Sequence, residues 1–411
     1  MDLRHVTPED RGRWRQLVVI SVTQVLVLGL WFATSAVLPS LRAEWNMSQG
    51  TATWLQNAVQ LGFVTGAVLS AALNLPDLVS CRILIAASAA LGALSTVVFV
   101  LVAHSPAEAI PIRFVTGVTL AGVYPPGIKL MASWFRRNRG LAIGVLVGGL
   151  TLGSGSPHAI AASGNPSPNV LLMVSAGLAV AGAALALVSV REGPYGAPAP
   201  RLDPSYVLRM LRDPAQRRLN LGYFGHMWEL YAWWAWLPLF LAASWEKWRG
   251  SPGSHAAVEA TAFVAIGVAG AAGAVAGGLV ADRVGRGRLI VVALAVSGAG
   301  CVLSALFYGL TPILLVLLVL VWGAAVIADS AQFSAALTEL TDVRYTGTAL
   351  TVQTAVGFLI TVVSIRFVPW FAGEVGWRFA LVPLVLGPVV GILAIAPLAR
   401  SRLTAAAAVE A

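Results

Sequence analysis

The chain is 411 residues long, with 58% hydrophobic and only 11% charged residues and a mean hydropathy of +0.80. A soluble domain is nearer a quarter charged, so this chain has too little polar surface to cover itself in water. Its net charge of +9 sits on the connections between apolar runs, a distribution that argues against a nucleic-acid partner.

The start, MDLRHVTPEDRGRWRQ (1–16), is a charged tail without a cleavage site. Apolar runs of about 20 residues, enough to cross a bilayer as self-satisfied helices, follow at 17–39, 51–73, 83–103, 109–132, 140–162 and 169–190. Residues 191–218 interrupt the series: REGPYGAPAP excludes a helix, and SYVLRMLRDPAQRRL reads as a short amphipathic surface helix. Six more runs fall at 219–242, 257–280, 289–309, 312–336, 346–368 and 378–399, before a tail at 400–411. The expected fold is an all-α membrane protein of 12 transmembrane helices in two pseudo-symmetric six-helix bundles, 17–190 and 219–399, with a site at mid-membrane between them.

Lys and Arg set the orientation. Connections after odd-numbered spans are poor in them. Connections after even-numbered spans and both tails are rich: Arg4, Arg11, Arg13 and Arg15; Arg82; Arg136, Arg137 and Arg139; Arg191, Arg201, Arg209, Arg212, Arg217 and Arg218; Arg283, Arg286 and Arg288; Arg344; Arg400 and Arg402. That is 20 of the 27 basic residues, so both ends are expected to be cytoplasmic. The excess of arginine over lysine and the absence of a targeting peptide fit a bacterial inner membrane. Cys81 and Cys301 cannot make a disulfide framework, and neither reads as functional.

GGLVADRVGRGRL (277–289) lies between spans eight and nine, and LNLPDLVSCRIL (73–84) between spans two and three. Each puts an Asp after a helix end and a basic residue a few positions on. The pattern resembles the loop signature of the major facilitator superfamily, G-x-L-a-D-r-x-G-r-k. Gly278, Asp282, Arg283, Gly285 and Arg286 match it in the second copy; in the first, Asp77 and Arg82 remain while Leu73 and Ser80 replace the glycines. RFVTG (113–117), WFRRNRGLAIGVLVGG (134–149), VRYTGTAL (343–350) and GWRFA (376–380) resemble further segments of that superfamily. The resemblance covers the whole chain and implies secondary transport by alternating access. It also implies a cytoplasmic gate in which each loop Asp docks on a helix of the other half, where a helix N-terminus favours a carboxylate. Asp77 is expected near Arg344 at the start of span eleven, and Asp282 near Arg139 at the start of span five.

Charges inside a membrane are costly and face a cavity or a partner. Spans three, six, nine and twelve have essentially none; spans four, seven and ten hold Arg113, Lys129, His226, Glu229 and Asp329. In the family, spans one, four, seven and ten line the central cavity. At helical spacing His226, Glu229, Trp233 and Trp236 share one face, expected to look into that cavity. Glu229 lies roughly 15 Å into span seven by helical rise, near mid-membrane. Taking a carboxyl out of water favours its protonated form, and a histidine can share that proton. Glu229, Asp329 and His226 are therefore candidates for proton coupling, or for a network knitting spans seven and ten together. In the family the span-four arginine, here Arg113, is linked to proton transfer or to anchoring an anion; near its helix end it can also snorkel outward, as can Lys129 and Arg366. Trp228 and Trp234 are expected to pack or meet lipid. Gln24, Gln56, Asn57, Tyr124, Gln332 and Gln353 are further cavity-lining candidates, or interhelical hydrogen-bond partners. GLAIGVLVGGLTLGSGSPH (140–158) permits close helix contact, and His158 at its end is a minor candidate.

ADSAQFSAALTEL and GTALTVQTAVGF resemble the branch labelled nitrate/nitrite-type or small-organic-anion carriers. Nitrate carriers use an arginine in each of spans two and eight, and this chain has neither. A small organic anion held by Arg113 is the first expectation; an amphipathic or cationic compound exported against protons is the second. No metal-ligand spacing, nucleophile elbow or phosphate loop appears, so no metal, cofactor or enzymatic activity is expected. A non-transporting membrane sensor or enzyme is the remote alternative. The expected partners are a small-molecule substrate, protons and the lipid bilayer, with the chain as a monomer.

Overall fold

The computed structural model describes residues 8–135, 138–164, 166–195, 203 and 205–401; among them there is no strand. Its spans one to three are Pro8–Glu44, Gln49–Ala72 and Cys81–Val102. Span four is split into Pro106–Leu120 and Tyr124–Trp134, and spans five and six are Arg139–Ala162 and Pro168–Ser189. A short helix, Tyr206–Arg212, lies in the central connection. Span seven is Pro214–Arg249; span eight joins His255–Phe263 to Gly270–Val284 through a π-helical turn at Val264–Ala269; span nine is Arg286–Phe307. Span ten is split into Pro312–Ala328 and Ser330–Leu340, span eleven is Thr346–Val375, and span twelve ends in Leu386–Ser401.

Among the described residues, nine segments are long and apolar enough to cross a membrane. The other three fall short for separate reasons. Span two is diluted by Gln49, Gln56, Asn57 and Gln60, span four is broken, and span seven is dense in tryptophan and tyrosine and carries His226 and Glu229. Local chemistry fixes the helix ends. The Ser48 hydroxyl accepts from Thr51 N, and Asp213 accepts from Ala215 N and Gln216 N with Pro214 at the first helical position. Gly250 closes span seven at φ +73°, a left-handed conformation suited to glycine.

The breaks in spans four and ten fall at corresponding places in the two halves. In span four, Pro125 and Pro126 follow the break and cannot donate to the helix ladder. In span ten the break is Asp329 itself, at φ −90° and ψ −16°.

Two seams join the halves. Along spans five and eight, small residues let the backbones touch: a Cβ on Gly144 would stand 2.7 Å from the Ala274 carbonyl, and one on Gly278 2.5 Å from that of Gly140. Thr151 Oγ1 adds a hydrogen bond to the Gly267 carbonyl inside the π turn, at 3.4 Å. Along spans two and eleven, Asn57 Nδ2 donates to the Val362 carbonyl at 3.0 Å, and the Arg366 guanidinium lies 5.3 Å from the Trp54 ring centre. An aromatic cluster fills the middle. Trp31 meets Tyr231 at 5.6 Å and Phe358 at 5.4 Å, Phe63 meets Phe358 at 4.5 Å, and Phe32 meets Trp234 at 5.7 Å between ring centres.

Candidate functional site

Arg113 does not snorkel. It is 1% exposed, and its Nη2 donates to the carbonyls of Leu30 at 3.0 Å and Trp31 at 2.9 Å in span one. Its Nε and Nη1 have no hydrogen-bond partner. The glycines of spans two and four explain its depth. Gly62 packs on the Phe114 carbonyl and Gly117 on that of Val59, so the two helices meet backbone to backbone and draw Arg113 inward. Gln60 of span two accepts the Trp31 indole N–H at 2.8 Å. Trp31 is thus held by its ring from one side and by its backbone from the other, and it presents to Tyr231 and Phe358 of the opposite half. One turn along span two from Gln60, Gln56 is buried with neither amide atom partnered, and Asn57 Oδ1 is also unpartnered. Buried polar atoms are rarely left unpaired, and such a cluster marks a place where water or a ligand can bind.

Glu229 faces another way than the sequence suggests. Its Oε1 accepts from Trp322 Nε1 at 2.6 Å and lies 3.4 Å from Cys301 Sγ, and its Oε2 accepts from Ser297 Oγ at 2.9 Å. These partners belong to spans nine and ten, inside the second half. The span-seven residues that meet the first half are Tyr231 and Trp234, on the opposite side of the helix. His226, Glu229 and Trp233 share a face as expected, but that face turns into its own bundle, where Trp233 meets Trp322 at 5.2 Å with the rings tilted. Periodicity shows which residues lie together and leaves open which neighbour they meet. Cys301, passed over in the sequence, belongs to the carboxylate's surroundings, as do Ser297 and Trp322.

His226 Nδ1 stands 3.0 Å from Asp329 Oδ1, both residues being 1% exposed. The contact is within ion-pair distance but is not aligned as a hydrogen bond, and His226 Nε2 has no partner. The break in span ten delivers Asp329 to this point. Trp236 departs from its predicted companions. Its Nε1 donates to the Ile365 carbonyl at 2.8 Å, and it lines an opening of about 470 Å³ with Leu38, Arg42, Met47, Gln49 and Ala52, at the end of the molecule away from the central connection.

The other predicted residues take specific places. Gln24 Nε2 donates to the Val123 carbonyl at the break in span four, at 3.1 Å. Tyr124, just after that break, lies within electrostatic reach of Tyr223 and Tyr231 of the opposite half. Gln353 Nε2 donates to Asn220 Oδ1 at 3.0 Å. Gln332 accepts from Arg286 Nη1 at 2.6 Å. Lys129 extends to the connection between spans two and three, where its Nζ donates to the Pro76 carbonyl at 2.8 Å. Trp228 Nε1 donates to the Pro383 carbonyl at 3.3 Å, and Trp234 is buried against Phe32 and not against lipid.

The residues expected at the gate take the following places. Asp282 lies over the first turn of span five, where a Cβ on Gly140 would stand 2.6 Å from its carboxylate. Arg286 turns from that contact to Glu339, at 2.8 Å, and Arg139 is within electrostatic reach of both. Arg283 and Gly285 form the turn, Gly285 at φ +89°. Arg344 does not reach across to the other half. It is 76% exposed and pairs with Asp342 two residues away, at 2.8 Å. Its short loop lets the arginine fold back on its own turn more cheaply than extend. The side chain of Asp77 lies outside the described residues, as do Arg4, Arg136, Arg137, Arg201 and Arg402; Arg82 follows Cys81 at the start of span three. Sequence reasoning also missed Glu259, which meets His158 across the seam at 2.6 Å. Glu259 sits within a turn of a helix end, where an acid reads as an interfacial residue.

Among the described residues no group of His, Cys, Asp and Glu has the arrangement of a metal site. No curated protein sequence matches the chain significantly. Among solved structures, it is similar to the MFS (major facilitator superfamily) proton:xylose symporter XylE bound to 6-bromo-6-deoxy-D-glucose, with a TM-score of 0.72 and 14% identity over 94% of this chain and 95% of that one. That likeness shows a shared fold. The family model of the Major Facilitator Superfamily matches residues 20–359, through both halves and the connection between them, and the chain therefore belongs to the Major Facilitator Superfamily.

Proposed function

We propose that this protein, a secondary transporter by family, carries a small organic anion by alternating access, with Arg113 as the anion's anchor and a proton as the coupled ion. The observation that carries this reading is the pair of unpartnered donors on a buried guanidinium. Burying a cation costs several kcal/mol, and hydrogen bonds to a charged group contribute about 1.5–3 kcal/mol each. The two carbonyls that Arg113 holds offset part of that cost and supply no negative charge. A carboxylate on either of these free donors would supply the charge through a charge-assisted hydrogen bond. Gln56 and Asn57 offer neutral donors and acceptors for the rest of a small polar molecule. The nitrate branch is not favoured, because spans two and eight lack its arginines.

The export of cations draws less support. Its main ligand was to be Glu229, and that carboxylate already accepts from Trp322, Ser297 and Cys301 inside its own bundle. The His226–Asp329 pair is the better candidate for the proton, since it stands at a helix break where a small backbone change alters the contact. We place the arginine-rich ends on the cytoplasmic side of a bacterial inner membrane, by the positive-inside rule. Closure at that side rests on Asp282 at span five, and closure at the other on the outer ends of the two seams.

The test is flux into proteoliposomes, with mono-, di- and tricarboxylates and quaternary ammonium ions as labelled substrates, with and without a pH gradient. Uptake of an anion that is stimulated by the gradient, and is lost in Asp329→Asn at normal protein level, supports the reading. Gradient-driven movement of the cations alone refutes it.

A further inference from the structure

The seam between spans five and eight is built mainly of small residues; besides the Thr151–Gly267 hydrogen bond, it holds a contact between two ionisable side chains near its end away from the central connection. There His158 Nδ1 of span five meets Glu259 Oε2 of span eight at 2.6 Å, with the side chains 0% and 5% exposed. The opposite carboxylate oxygen, Oε1, is 3.8 Å from Nε2 of His255, one turn back on span eight and 44% exposed. His158 Nε2 has no partner. The contact joins the two halves, and it sits one turn before the π-helical stretch Val264–Ala269, a distortion of a kind frequent at functional sites.

Among the described residues no ion pair joins a further group to it, and Arg42 and Glu44, at this end of span one, which also packs on span five, are in no ion pair with it. Span five carries only His158 and, at its far end, Arg139; span eight carries His255, Glu259 and, at its far end, Asp282 and Arg283. Span ten has none on Pro312–Ala328. On the neighbouring end of span seven, Glu246 acts on Tyr308, the Lys247 chain lies toward Gly309, and Arg249 is exposed.

We propose that His158 and Glu259 form a second proton site, buried in the seam, which latches the two halves together at that face. The inference presupposes the alternating access of the proposed function. With a proton on the imidazole in addition to the one on Nδ1, the pair is electrically neutral overall, and the buried contact is a closed ion pair. Without it, the seam holds a net negative charge in an apolar wall, which is costly. Separation lets water reach the carboxylate and the free Nε2. The closed form therefore binds the proton more tightly than the open form, so closure is favoured as pH falls and opening as pH rises.

The experiment uses spin labels on the full chain in lipid nanodiscs. One pair at residues 163 and 251 spans this face, and a second pair at 73 and 342 spans the arginine-rich face; these four positions are exposed, and the native Cys81 and Cys301 are buried. Distances are read by double electron–electron resonance between about pH 5 and 8, where histidine titrates. One linked proton changes the open-to-closed ratio by at most about tenfold per pH unit, and the wild-type ratio at residues 163 and 251 is expected to rise at least about fivefold over the range. Glu259→Gln, which keeps a hydrogen bond to His158, removes the response, and so does Glu259→Met, which keeps none. A response retained in either variant overturns the latch. A fixed 163–251 distance with a moving 73–342 distance overturns the latch and leaves alternating access standing. If both distances are fixed throughout, alternating access falls and the latch with it.

Discussion

Trp322 donates its indole N–H to Glu229 across 2.6 Å, so a carboxylate deep in span seven is braced from span ten. Ser297 and Cys301 extend the brace to span nine. This arrangement is a property of one bundle and survives any motion of one half against the other.

Trp322→Phe keeps an aromatic ring, deletes the donor and leaves a small space where the indole was buried. Leaving a buried acceptor short costs about 1–3 kcal/mol, so the thermal midpoint in detergent should fall by several degrees. Glu229→Gln should cost less, because the amide oxygen still accepts from Trp322 and the Ser297 hydroxyl can turn to accept. Differential scanning fluorimetry of the two variants checks the order; a Gln variant less stable than the Phe variant contradicts it.

The contact of spans two and four is set by backbone approach. Gly62→Val places a side chain against the Phe114 carbonyl and should abolish folded, monodisperse protein in size-exclusion chromatography. Gly177 in span six has nothing within 4 Å, and Gly177→Ala should hold or raise stability by about 0.5–1 kcal/mol, as helix propensity dictates. Equal behaviour of the two variants would show that helix propensity, and not close approach, governs these sites.

At the arginine-rich face, Gly140→Val pushes the Asp282 carboxylate from the first turn of span five. A cysteine introduced at Ala274, buried in the same seam, should then react with a water-soluble maleimide several times faster. Arg286→Ala, which removes the ion pair to Glu339 but not the docking of Asp282, should change the rate less.

Arg344 holds the Asp342 carboxyl down to about 2 from its ordinary 3.8, through hydrogen bonds to side chain and backbone. A depressed carboxyl contributes stability that is present above its unfolded value and lost as pH falls through the folded one. The contribution is therefore complete above about pH 4 and disappears toward pH 2, and the exposed position keeps it small. Thermal unfolding of the wild type and Arg344→Ala should differ slightly at pH 7 and converge as pH falls toward 2; a difference that grows with acid contradicts the pairing.

Much of the architecture was legible because lipid imposes one rule on every span. Twelve apolar runs, the arginine-bearing connections and the Gly278–Asp282–Arg286 loop needed only that rule and a motif. The site was less legible, for reasons of rotation and distance. His226, Glu229 and Trp233 were grouped by helical spacing, but spacing carries no information on which neighbour a face meets, and theirs meets Trp322 and Ser297. Arg113 read as a helix-end residue by counting; Gly62 and Gly117, which draw spans two and four together, put it in the interior. Glu259 and His158 lie 101 positions apart, and only the folded seam brings them to 2.6 Å.

The central claim is that Arg113 is an anchor for an anion, and the most direct measurement is the thermal shift of purified wild type and Arg113→Lys with the same panel of carboxylates and quaternary ammonium ions. The account predicts that at least one carboxylate stabilises the wild type, that Lys, whose three donors cannot hold both span-one carbonyls and keep two nitrogens free as Arg113 does, loses most of the shift, and that the cations give none. Stabilisation by the cations alone, or an undiminished carboxylate shift in Arg113→Lys, would contradict it.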